Sequence, residues 1–237
     1  MKAENEKYKA LKAAFPYTLP ILASFMFLGL TYGLLMSTKG YGAGWSFLMS
    51  SIAFCGGMQF AAIPVLAAGF NPLALFCLAL VVNARHLFYG ITLLSKYRNT
   101  KKLKPFLIYM MCDETFSIVC NIEPHSDVNK NYFYFFIGLL NYGYWVVFSG
   151  LGGILGKLIH FNTKGLDFAL TALFTVIFIE GFKERKNRLS SVIGVVCSVV
   201  CLALFGKNQF VIPAMLCIVG VLSLFKDKKN KQEEAAA

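Results

Sequence analysis

Eight apolar runs recur along the chain, at about 17–36, 45–69, 72–94, 105–122, 131–156, 166–182, 189–206 and 208–225. Each is close to the roughly 20 residues a helix needs to cross hydrocarbon. Only short hydrophilic stretches separate them, which leaves no room for a soluble domain. Strands of a transmembrane barrel would alternate apolar and polar residues over about ten positions, and these runs do not. The pattern therefore predicts an all-α polytopic membrane protein with about 7–8 hydrophobic segments, forming a single transporter-sized domain over 1–237.

Two of the runs carry local reasons to be irregular. The second reads FCGGMQFAAIP, where Gly56 and Gly57 weaken a helix and Pro64 leaves the carbonyl of Phe60 without its usual donor. The fourth carries CDETF, with Asp113 and Glu114 midway. Non-helical backbone at membrane depth is tolerated where protein buries it or where it lines a cavity. One or two broken or re-entrant helices are expected here.

Composition agrees with a membrane protein. The chain has 237 residues, 57% of them hydrophobic and 15% charged, and a mean hydropathy of +0.60. A soluble domain of this size could not hide so much apolar surface. The basic N-terminal stretch, MKAENEKYKALKAAF, precedes an apolar run too long for a signal core, and it is read as leading into a retained first helix. All seven cysteines lie in apolar runs without a close CxxC pair, which is the usage of small, reduced, packed residues. No metal site and no cofactor are expected.

The net charge of +11 resembles a nucleic-acid signal until it is located. Of 23 Lys and Arg, 17 fall in four short stretches: the N-tail, 96–104, 183–188 and the C-tail. Such clusters mark cytoplasmic loops, so no nucleic-acid partner is needed. With the N-terminus inside, eight plain crossings would put the five positive charges of 96–104 outside. If 45–69 instead enters and returns, and 105–122 does likewise, that loop becomes cytoplasmic. About six full crossings then remain, with tails 1–15 and 226–237 inside. The plain eight-crossing reading stays a rival. A faint repeat, STKG at 37–40 and NTKG at 162–165, hints at the duplicated halves of many transporters.

Few polar side chains lie at depth: Gln59, Asn83, Arg85, His86, Asp113, Glu114 and, nearer an end, Glu180. A charge at the bilayer centre costs at least about 2.5–3.5 kcal/mol, so it must recover that by pairing or by access to water. In a continuous helix Asn83, His86 and Gly90 share one face, while Arg85, Tyr89 and Thr92 lie on another. Asp113 and Glu114 are candidate proton carriers, and Arg85 and His86 are candidates for gating or coupling. A broken helix at Gly56–Gln59 would offer free N–H groups and a positive dipole end to a carboxylate, so Gly56, Gly57, Gln59 and Phe60, with Asn83, are candidate substrate ligands. Each has a plainer reading. An Arg85–Asp113 or Arg85–Glu114 pair would simply join two helices. His86 would bond a backbone carbonyl, Gln59 would be interhelical glue, and Glu180 would meet the basic 183–188 loop. A secondary transporter fits best, and no enzymatic activity is expected. The alternatives are an intramembrane enzyme, a passive channel or a structural membrane subunit.

The chain resembles the AzlC family, the large subunits of branched-chain amino acid exporters. The matching pieces are LPI at 19–21, GGMQF at 56–60 with AAG at 67–69, NARHLFYG at 83–90, DETF at 113–116 and GLDFALTALF at 165–174. Some relatives carry Asp where Asn83 stands, so an acid there cannot carry protons in this chain. The resemblance implies efflux of leucine, isoleucine, valine and methionine, driven by the proton gradient, across the cytoplasmic membrane of a prokaryote. It also implies a small four-helix membrane partner of the AzlD type.

Overall fold

Hydrophobic periodicity becomes helix throughout the described part of the chain. The computed structural model describes residues 2–158 apart from Ala68, Phe70, Ala84 and Asn99, together with 188–210 and scattered positions between 168 and 222. Nine α-helices are described: α1 (Lys2–Thr38), α2 (Ala43–Ala53), α3 (Gly56–Ala67), α4 (Pro72–Asn83), α5 (Arg85–Leu93), α6 (Lys104–Tyr109), α7 (Asp113–Asn121), α8 (Lys130–Leu158) and α9 (Arg188–Gln209). A 3-10 turn at Lys101–Leu103 leads into α6. No strand occurs among the described residues. Among the described residues, stretches of three helices are long and apolar enough to cross a membrane: Asn5–Thr38 in α1, Lys130–Leu158 in α8 and Arg188–Gly206 in α9. The runs 166–182 and 208–225 are described only at scattered positions, and Glu180, the NTKG repeat and the C-tail lie outside the described residues.

The chain divides into two compact units, Met1–Leu78 with His86–Leu170, and Ala79–Arg85 with Thr171–Ala237. In the first unit α1 and α8 run side by side in the same direction. Lys7 lies over the Tyr132 ring, Phe25 meets the Trp145 ring edge-on, and Gly156 abuts Ser37. Glycines make the approach possible. A Cβ on Gly33 would overlap the backbone of Ser149 and Gly153, and one on Gly152 would overlap that of Leu30. In lipid the contact cannot come from hydrophobic burial, because the solvent is equally apolar. Close packing of small residues supplies it instead.

Two half-length hairpins fill the space beside this pair. The first is α2–α3. Its α2 starts at Ala43 against Gly153 and runs back along α8 until Phe54 meets Tyr142, with ring centroids 5.1 Å apart. There the chain turns, and α3 returns until the Leu66 carbonyl accepts a 3.0 Å bond from Tyr41, just before α2. The second is α6–α7. Lys104 and Leu94 line one cavity together, Phe106 meets Phe135 edge-on, and Met110 packs against Gly138. Then α7 returns, starting beside Tyr89 and ending where Lys96 donates to the carbonyls of Val119, at 2.6 Å, and Cys120, at 3.0 Å.

The expectation of irregular 45–69 and 105–122 segments is thus met by two turned-back hairpins. Lys96 also lies over the Tyr134 ring, two residues along from the Tyr132 ring that carries Lys7. The basic 96–104 stretch and the N-tail therefore gather at the same end of α8.

Candidate functional site

The hairpins approach from opposite ends of α8 and turn near its middle. α8 has 29 residues, or about 43 Å at 1.5 Å per residue, and the two tips meet it between Gly138 and Trp145.

At the first tip α2 stops because Phe54 adopts φ 29 and ψ 53, a left-handed conformation that a side chain of this size disfavours. The surroundings hold it there: Phe54 is 4% exposed. The carbonyls orphaned at the end of α2 are met by phenols. Tyr142 donates to Ser51 O at 2.9 Å. Tyr109, at the end of α6, donates to the same carbonyl and lies 3.2 Å from Ile52 O. One hairpin thereby grips the tip of the other.

Just beyond, α3 opens with Gly56 and Gly57. Gly56 faces the Trp145 indole so closely that a Cβ would sit 2.9 Å from the ring. The first turn of α3 contains no acidic residue, so nothing in that turn neutralises the positive end of the helix dipole. Gln59 is fully buried. Its Oε1 accepts the Trp145 indole N–H at 2.7 Å, and its Nε2 donates to Ser50 Oγ at 2.8 Å. Tyr32 stacks on Trp145 and meets Phe60 edge-on, with centroids 6.1 and 5.7 Å away.

The second tip is chemically the opposite. Cys112, extended at φ −133 and ψ 175, precedes α7, whose first turn carries Asp113 and Glu114. These acids complement the positive end of their own helix, and Lys96 complements its other end. Tyr89 donates to Asp113 and stacks on Phe116 with centroids 4.2 Å apart. His86 lies edge-on to Tyr89 at 5.3 Å. Thr115, also in α7, accepts a 2.9 Å bond from Asn141 of α8 and lies 3.2 Å from the Cys112 thiol. A cavity of about 400 Å³ opens alongside, lined by His86, Tyr89, Gly90, Leu93, Ile108 and Met111 among others. Its apolar walls could hold an aliphatic side chain.

Of the candidates read from the sequence, Gly56, Gly57, Gln59 and Phe60 gather at the first tip, and His86, Asp113 and Glu114 at the second. Asn83 closes α4 and Arg85 opens α5, both half-buried and both in the second unit. Sequence reasoning missed Ser50, Tyr89 as the carboxylate's donor, Asn141 and Trp145. The signal was present in α8, where Asn141, Trp145 and Ser149 recur every four residues, placing them on one buried face.

A family model described as AzlC protein matches residues 20–159. The chain is 48% identical over 233 residues to the branched-chain amino acid transport protein AzlC of Bacillus subtilis, covering 98% of this chain and 92% of that one. It is 37% identical over 222 residues to an uncharacterized membrane protein of Helicobacter pylori, covering 94% and 97%. To the inner membrane protein YgaZ of Escherichia coli it is 24% identical over 210 residues, covering 84% of each. No solved structure matches the chain.

Proposed function

The chain belongs to the AzlC family, and on that premise we propose that it is a secondary transporter exporting leucine, isoleucine, valine and methionine across the cytoplasmic membrane in exchange for protons. It acts as the large subunit beside a small AzlD-type membrane partner, with its N-tail and the 96–104 loop inside. It catalyses no covalent chemistry.

The meeting of the two hairpin tips carries this reading. A zwitterion needs a positive and a negative partner close together. The start of α3 offers free N–H groups and an uncompensated dipole end for the carboxylate, with Gly56 and Gly57 leaving the backbone bare. The start of α7 offers Asp113 and Glu114 to a proton or to a cationic group. The apolar cavity beside Tyr89 takes the aliphatic side chain. Arg85 serves as a gate, and His86 couples to Asp113 through Tyr89. Half-helix ends of this kind hold substrates near the bilayer centre in other transporter folds.

Counterflow of labelled leucine in proteoliposomes, with and without the co-expressed small subunit, tests the reading. Leucine should accumulate and be displaced by valine and isoleucine, and an imposed pH gradient should drive net movement. If neither preparation moves any branched-chain amino acid, the proposal falls. Leucine flux indifferent to the pH gradient would make the protein a passive channel.

A further inference from the structure

Asn141 stands in the middle of α8 and is fully buried. Its Nδ2 donates to Thr115 Oγ1 at 2.9 Å, and its Oδ1 has no hydrogen-bond partner among the described residues. An unmet acceptor is costly in a dry interior. Among the described residues the buried hydroxyls of Tyr32, Ser46 and Ser149 share that unmet state, whereas Thr31 bonds back to Phe27 O at 2.8 Å. Asn141 instead spends its amide nitrogen on α7 and leaves its oxygen available.

Its location gives that oxygen a use. One turn further along α8, Trp145 carries the bare start of α3. Opposite, Thr115 lies two residues from Asp113. An acceptor thus stands on α8 one helical turn before the Trp145 that meets the start of α3 and beside the acid-bearing start of α7. We infer that Asn141 is the ligand for the ammonium group of an α-amino acid whose carboxylate sits at the start of α3. The assignment rests on the transport reading above. An ammonium brings three N–H donors, so it can satisfy the asparagine oxygen and still reach a carboxylate of α7. The oxygen is closed off from solvent here, and a substrate reaches it when the hairpin tips part.

The test compares leucine with 2-hydroxy-4-methylpentanoate, which keeps the carboxylate and side chain but replaces the ammonium with a hydroxyl. Both compete in leucine counterflow, in wild type, Asn141→Leu and Asn141→Asp. Wild type should prefer leucine. Asn141→Leu should cut that preference by about tenfold or more, the worth of one hydrogen bond to a charged group, mainly by weakening leucine. Should Asn141→Leu fail to fold, the isosteric Asn141→Asp carries the test, since a full negative charge should keep leucine and raise the preference. An unchanged preference in either folded variant overturns the inference and leaves the transport reading standing. Loss of leucine binding in Asn141→Asp also overturns it, because the site then faces the carboxylate. If wild type handles no branched-chain amino acid, the transport reading itself fails and the inference with it.

Discussion

The indole N–H of Trp145 donates to the side-chain oxygen of Gln59 at 2.7 Å, joining the returning arm of one hairpin to the middle of α8. The same amide holds Ser50 on the entering arm at 2.8 Å. Gln59→Leu keeps the volume but leaves the indole N–H and the Ser50 hydroxyl without this partner. Each orphaned buried group costs about 1–3 kcal/mol. Thermal unfolding in detergent should therefore fall by several degrees, with transport lost. Wild-type unfolding in this variant would mean that the amide does not hold the tip.

Asp113 and Glu114 open α7 at the second tip. Replacing the proton carrier with its amide should abolish uphill, pH-driven transport and spare substrate exchange across proteoliposomes. Asp113→Asn also weakens the bond from Tyr89, so Tyr89→Phe should slow pH-driven uptake while sparing exchange. Full pH-driven uptake in both single amides would make these carboxylates structural and place the proton path elsewhere.

Arg85→Lys preserves the positive charge and loses the planar fork that pairs with carboxylates at two points. Leucine binding should persist in a thermal-shift assay while the transport rate falls. Arg85→Ala should lower both folded yield and transport. Loss of leucine binding in a folded Arg85→Lys protein would identify Arg85 as the direct carboxylate ligand.

The basic 96–104 stretch shares an end of α8 with the N-tail. Single cysteines at Lys101 and Asn129, in a background lacking the other cysteines, should both resist an impermeant thiol reagent applied to intact cells. Labelling at 101 from outside would restore eight plain crossings.

Gly33 faces the backbone of Ser149 and Gly153, whereas nothing lies within 4 Å of where a Cβ on Gly143 would stand. Gly33→Ala should cost about 1–3 kcal/mol through overpacking and separate α1 from α8. Gly143→Ala should unfold at the wild-type temperature.

Much of this was legible along the chain. The runs at 17–36, 131–156 and 189–206 fall inside α1, α8 and α9, because a long apolar run without charges has one backbone solution in lipid. The irregular segments were legible too, from Gly56 and Gly57 and from the acids at 113 and 114, and the charge of 96–104 favoured a turned-back 45–69 over its eight-crossing rival. Pro64 was a weaker guide. It sits inside α3, and the break falls at Phe54, a residue with no intrinsic preference for the left-handed conformation it adopts. Packing against Tyr142 and the phenols on Ser51 decides that position.

The sequence by itself determined the helical class, the two weak segments and most of the polar groups that a membrane interior would not otherwise tolerate. Each of those follows from local composition and period. Only the tertiary structure decided that the two tips come from opposite ends of α8 and meet at its middle, that the acids open a helix there, and that Asn141 and Trp145 stand between them. Those relations join residues 24 to 91 positions apart in the chain. No local period encodes such distances, and they arise from which helices can approach closely enough to satisfy one another's exposed ends.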